Sequence, residues 1–173
     1  IIFPMFEFEF PGDINDLKSM EYELVDYLGF DKPTEKTYAD WQKHYGFASG
    51  YELTAEEEGK MYNEFSTAMI TDFPEFTSPF WNMSRYEDGV RSKKIDVILG
   101  GMETIGSAER STDVDMMRDT FHSITNGEYS KLLFDLFGKN RVESELEEFL
   151  KFDFFPRVGG GIGMTRMIAA LDK

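Results

Sequence analysis

Residues 95–110 read I-D-V-I-L-G-G-M-E-T-I-G-S-A-E-R, and they argue that the chain is built around a sheet. Residues 95–99 form an apolar run of strand length, closed by a glycine pair, which favours a buried strand over a helix. Asp96 lies inside that run, Glu103 follows Gly100 and Gly101, and Arg110 comes seven residues later. A bulge or bend at the two glycines would turn both acids toward one cleft. By period-two alternation Arg110 faces away from Glu103, unless the region of Gly106 breaks the pleat. Solvated acids at strand ends are the competing reading, because 33 acidic residues offer many such pairs.

Upstream, Phe6-Glu7-Phe8-Glu9-Phe10 alternates apolar and acidic residues. That is a strand with one face on a core and the other carrying carboxylates in solvent or in a cleft. Pro11-Gly12 ends it, and Asp13 can cap a helix over 14–28 whose Leu17, Met20, Leu24, Val25 and Leu28 recur at helical spacing. Further helices are expected over 37–45, 55–65, 112–123, 130–137, 141–152 and 164–171, with a short strand over 68–71 and a glycine-rich strand before the last helix. Residues 85–94 are polar and charged and are expected to form an exposed hairpin tip. The intervals between strands are irregular, unlike a βαβ series, so the expected class is α+β with a mainly antiparallel sheet in a single domain over 1–173. The abrupt start, without Met and inside a strand, implies that an N-terminal part is missing.

Composition removes several functions. With 33 acids against 18 bases the formal charge is −15, a field that repels phosphate backbones and disfavours DNA or tRNA as a partner. No cysteine is present and histidine is limited to His44 and His122, so zinc sites and histidine catalysis are not expected. No apolar run has the length of a membrane span, and the N-terminal residues lack the basic region of a signal peptide. The chain reads as cytoplasmic. Phe80 and Trp81 are expected in aromatic core packing, and Glu56-Glu57-Glu58 on a solvated helix face.

The second chemical motif is G-G-G-I-G-M-T-R, residues 159–166. So many glycines weaken a strand and make sense where a flat ligand lies against bare backbone. A helix starting near Met164 brings Arg166 to the same surface, where a guanidinium can fork onto a phosphate. A glycine-rich turn with a solvated arginine fits the same residues. The motif is neither a P-loop, since no Gly-Lys-Ser/Thr follows, nor a dinucleotide fingerprint.

Together these segments resemble the C-terminal half of a class II aminoacyl-tRNA synthetase catalytic domain, of the aspartyl and asparaginyl branch. Gly159, Gly161, Gly163 and Arg166 match the G-x-G-x-G-x-x-R of the family's third motif. Asp96, Glu103, Gly106 and Arg110 match its acid, glutamate, glycine and arginine series, and F-P-M-F-E-F-E-F is similar to the return strand of its second motif. The resemblance implies Mg²⁺ held by Asp96 and Glu103, and ATP bound by Glu103, Gly161, Gly163 and Arg166. It also implies Arg166 and Glu103 as catalytic residues, and Arg110 with Gly159 and Gly160 around the amino acid. Arg157 stands where the tRNA ligases usually carry histidine, and Glu109 where they carry Gln or Met. With S-P-F-W-N-M, these departures look most like the archaeal asparagine synthetase-related paralogues. The implied protein is a homodimeric, ATP-dependent, AMP-forming asparagine synthetase that amidates aspartyl-adenylate with ammonia. An asparaginyl- or aspartyl-tRNA synthetase fragment and an inactive binding module remain as alternatives.

Overall fold

The computed structural model describes residues 2–173. Six strands form one sheet: β1 (Met5–Pro11), β2 (Thr34–Thr37), β3 (Thr67–Pro74), β4 (Arg91–Leu99), β5 (Met102–Arg110) and β6 (Arg157–Gly163). Their order is β1-β6-β5-β4-β3-β2, antiparallel except for the parallel pair β2 and β3. Seven helices flank it: α1 (Ile14–Tyr27), α2 (Tyr38–His44), α3 (Ala55–Phe65), α4 (Val114–Ser123), α5 (Glu128–Phe137), α6 (Lys139–Phe149) and α7 (Met164–Leu171). The α+β class is as expected.

Gly100 and Gly101 do not bulge. Both have positive φ, 57° and 82°, and make the tight turn of a β4–β5 hairpin, a backbone that residues with a side chain rarely adopt. The bulge comes three residues later, where Val97 pairs with Ile105 but Ile98 pairs with Glu103, leaving Thr104 as the extra residue. Its hydroxyl donates to the carbonyl of Met102 at 3.0 Å, inside the hairpin end.

The pleat sorts side chains onto two faces. One carries Ile95, Val97, Leu99, Ile105, Val158 and Ile162 against Leu17 and Val25 of α1 and Met167 and Ala170 of α7. Asp13 caps α1 as expected, accepting from the amides of Asn15 and Asp16. On the other face α2 and α3 cover only the β3–β4 end, where Trp41 and Met61 pack on Ala68, Ile70 and Ile98. The β1, β6 and β5 end of that face is left uncovered. Helices α4, α5 and α6 build a separate cluster around Trp81, Met117, Phe121 and Leu146.

Strand β2, T-E-K-T, shows no apolar alternation and is held by pairing with β3 rather than by its own pattern. The hairpin tip is shorter than 85–94, because β4 begins at Arg91 and its polar first half already pairs with Phe73 and Pro74.

Glu21 of α1 is fully buried beneath the sheet, where it accepts a hydrogen bond from the Ser107 hydroxyl. Burial pushes its carboxyl up to about 8, with Asp96 adding to the rise, so it is protonated in the neutral folded protein. The folded state then binds a proton that the unfolded chain has released above its ordinary value of 4.5. Stability from this group is complete below that value and is lost as pH rises toward about 8. Urea unfolding at a series of pH values should show the Glu21→Gln variant losing less stability than the parent over that window.

Candidate active site

The uncovered end of the sheet is a cleft of about 490 Å³ lined by β1, β5 and β6, with Phe80 and Met83 from the preceding loop closing one side. The bulge at Thr104 determines what faces it. Asp96 pairs with Gly106 and Ile98 with Glu103, so both acids share one face although 103 and 106 are an odd step apart. Gly106 and Arg110 are an even step apart and share that face too. Simple alternation would set Arg110 opposite Glu103, but the pleat is broken at Thr104, beside Gly106, so the exception allowed for that region holds and the two share a face.

The two carboxylates converge over Gly106. A Cβ there would lie 2.8 Å from Glu103 Oε1 and 3.5 Å from Asp96 Oδ1. Asp96 is buried, and Lys94 donates to its Oδ2. Its Oδ1 is buried without a partner. Burial pushes its carboxyl up to about 6 even though the Lys94 ammonium opposes the rise. Glu58 of α3 completes the acidic corner: its Oε2 accepts from the amide of Glu103 at 2.8 Å, and burial raises its pKa, with the Glu103 charge adding to it. The glutamate run is thus not uniformly solvated, since Glu57 is buried as the capping-box partner of Thr54 and Glu58 reaches the bulge.

Arg166, in the first turn of α7, donates from Nη1 to the Glu103 carbonyl at 2.5 Å, and Nη1 lies 3.8 Å from Glu103 Oε2. Its guanidinium sits 5.7 Å over the ring of Phe3. A Cβ on Gly163 would come within 3.0 Å of that same ring. The Phe3 ring thus lies directly on the Gly163 backbone and against the Arg166 guanidinium. Phe3 was not singled out from sequence; its only signal is its place just ahead of the alternating strand. Gly161 also opens onto the cleft, whereas Gly160 belongs to the opposite face of the pleat, against Ser107 and Phe8, and offers the cleft only its backbone. Phe80 is partly exposed at the cleft wall, and Trp81 alone of the pair enters the core.

Among the described residues no three His, Asp or Glu side chains form a ready metal cage. The residues nevertheless fit Mg²⁺, which takes hard oxygen donors and is usually held by one or two carboxylates together with substrate phosphates. The orphaned Asp96 Oδ1 beside Glu103 Oε1 is such a pair.

This architecture is shared with the catalytic cores of class II synthetases. Asparaginyl-tRNA synthetase from Pyrococcus horikoshii complexed with asparaginyl-adenylate superposes with TM-score 0.75 at 19% identity, over 98% of this chain and 44% of that one. The asparaginyl-tRNA synthetase of Entamoeba histolytica in complex with asparaginyl-adenylate gives 0.74 at 19%, over 98% and 44%. The aspartyl-tRNA synthetase of the same organism gives 0.74 at 16%, over 98% and 41%. These likenesses carry the fold, and the chain spans less than half the length of each solved synthetase. The model of the class II tRNA synthetases (D, K and N) matches residues 8–173, and the chain belongs to that family. No curated protein sequence matches it.

The glycines separate by what a side chain would meet. A Cβ on Gly160 would fall 2.6 Å from Ser107 Cβ and 2.8 Å from the Gly106 carbonyl, whereas on Gly161 it meets only the mobile Met5 methyl end. Gly160→Ala should cost about 2 kcal/mol by overpacking and Gly161→Ala less than about 1 kcal/mol, read by urea denaturation.

Proposed function

We propose that the protein is an ATP-dependent, AMP-forming ligase that activates aspartate in this cleft and amidates it with ammonia. The observation that carries this reading is the convergence of Asp96 and Glu103 over Gly106, on the face that also presents Arg110 and the bare backbone of Gly161 and Gly163. Asp96 and Glu103 would hold Mg²⁺, which supplies neutralisation of triphosphate charge. Arg166 binds the terminal phosphate, and adenine lies on the backbone of Gly161 and Gly163, in the place that the side-chain ends of Met5 and Phe3 fill here and have to leave. Arg110 grips a carboxylate of the amino acid, with Gly159 and Gly160 forming the backbone beside it.

The chemistry needs no protein nucleophile. A carboxylate oxygen of aspartate attacks the α-phosphorus, the bond to the pyrophosphate oxygen breaks, and aspartyl-adenylate forms. Ammonia then attacks the acyl carbon with its lone pair, the bond from that carbon to the AMP oxygen breaks, and the nitrogen gives up one proton to solvent to leave the amide. Catalysis is positioning and charge stabilisation by fixed groups. Forming asparagine requires that the side-chain carboxylate be the one activated, so Arg110 then holds the α-carboxylate. Charging of tRNA requires the reverse orientation. That second reading is favoured by the family and by the asparaginyl-adenylate complexes among the structural neighbours. The −15 charge favours ammonia over tRNA as acceptor. A homodimer is the assembly consistent with the family.

Aspartate-dependent exchange of pyrophosphate into ATP by the full-length protein tests the reading. Exchange should fall by about 100-fold or more in Glu103→Gln and in Gly106→Ala, which fills the point between the carboxylates. Absence of exchange, or undiminished exchange in Glu103→Gln, removes the proposal. Asparagine formation from ammonium, set against tRNA charging, identifies the acceptor. Magnesium-dependent ATP binding by calorimetry separates either enzyme from an inactive module.

A further inference from the structure

At the far end of the cleft, Arg110 on β5 and Arg157 on β6 are directly paired across the ladder and share a face. Like charges so placed repel and weaken a sheet unless carboxylates compensate. Glu9 of β1 does so on one side only: Arg157 Nε donates to Glu9 Oε1 at 2.5 Å. The Arg157 side chain is 11% exposed, lies 5.1 Å from the Phe154 ring, and keeps Nη1 buried with no partner. Arg157 is therefore locked in place around its single ion pair.

Arg110 is arranged differently. Its Nη2 reaches over Gly159, 3.3 Å from where a Cβ would sit, and Glu9 Cγ is 3.2 Å from the same point. The guanidinium and the Glu9 side chain are thus neighbours, made so by the glycine beneath them, yet no ion pair joins them among the described residues. The Glu9 carboxylate is turned to Arg157 instead. Burial lowers the pKa of Arg110, the Glu9 and Glu7 charges oppose that, and the Arg157 charge adds to it. The cation is left inside the cleft wall without a hydrogen-bonded counter-ion.

We propose that Arg157 is a positioning residue for substrate recognition: by clamping Glu9 it denies Arg110 an internal partner and keeps that guanidinium available for a carboxylate of the amino acid. The inference rests on the aspartate-activating reading and adds to it the pair that sets affinity. Without the clamp, Glu9, half exposed and already beside Arg110, closes onto it and competes with the ligand.

Calorimetric titration of L-aspartate into the full-length protein and its variants tests this. Arg157→Met should weaken aspartate binding by about thirty-fold, the loss of one charge-assisted contact to a competing ion pair. Adding Glu9→Gln to Arg157→Met should restore affinity to within about threefold of the parent, because the competitor is gone. Arg157→Lys, which can still engage Glu9, and Glu9→Gln alone should each stay within about threefold of the parent as well. Thermal melting of each variant checks folding, and the latter two carry the test if Arg157→Met does not fold. A residue that merely staples β1 to β6 would lose stability on substitution and would not be rescued by Glu9→Gln. Unchanged binding in Arg157→Met, failure of the rescue, or a large loss in Glu9→Gln alone overturns the clamp and leaves the aspartate reading standing. An unmutated protein that binds no aspartate overturns both.

Discussion

One unpaired residue governs the cleft. Because Thr104 is left out of the β4–β5 ladder, Glu103 turns to the same face as Asp96, Gly106 and Arg110. In an unbroken pleat Glu103 would point into the apolar layer beneath α1 and α7, where a carboxylate is costly to bury. The bulge is pinned from both sides, by the Thr104 hydroxyl on the Met102 carbonyl and by the Glu58 carboxylate on the Glu103 amide. Helix α3 therefore fixes the orientation of a residue on a strand it barely covers, and its own capping box at Thr54 and Glu57 sets where Glu58 falls.

The cleft is also an electrostatic compromise. Three acids, Asp96, Glu103 and Glu58, meet at one corner with Lys94 and Arg166 as the nearby cations, and burial shifts Asp96 and Glu58 toward the protonated form. A site in this condition gains from any ligand that brings positive charge to the corner. At the opposite end the balance is inverted, since two guanidiniums face each other with one engaged carboxylate. The proposed ligands, an amino acid and a metal-bound polyphosphate, would match that gradient along the sheet.

Much of the fold was legible because its elements follow simple periods. The F-E-F-E-F alternation and the Asp13 cap mark β1 and α1 nearly to their ends, and the glycine-bounded apolar run marks the second half of β4, whose polar first half, Arg91–Lys94, carries no such pattern. Strand β2 was not legible, since four polar residues pair only because β3 lies beside them. The positions of the site residues along the chain could be read, and Gly106 flags the region where the pleat can break, but the bulged residue itself could not, because Thr104 and Ile105 have ordinary strand preference. By sequence Glu58 reads as solvated, because a contact across 45 residues of chain leaves no local signature. Gly160 illustrates the converse: adjacent glycines in one motif serve opposite faces, Gly161 facing Met5 at the cleft and Gly160 leaving room for Ser107 and Phe8.

Strand β1 is the margin of the sheet among the described residues, with Glu7 and Glu9 on the cleft face and Phe8 and Phe10 beneath it. The N–H and C=O groups along its outer side can be matched only by water or by a further strand. The wall of the cleft therefore carries a backbone seam, and whatever closes that seam also sets how far Glu7 and Glu9 reach over Gly161 and Gly159.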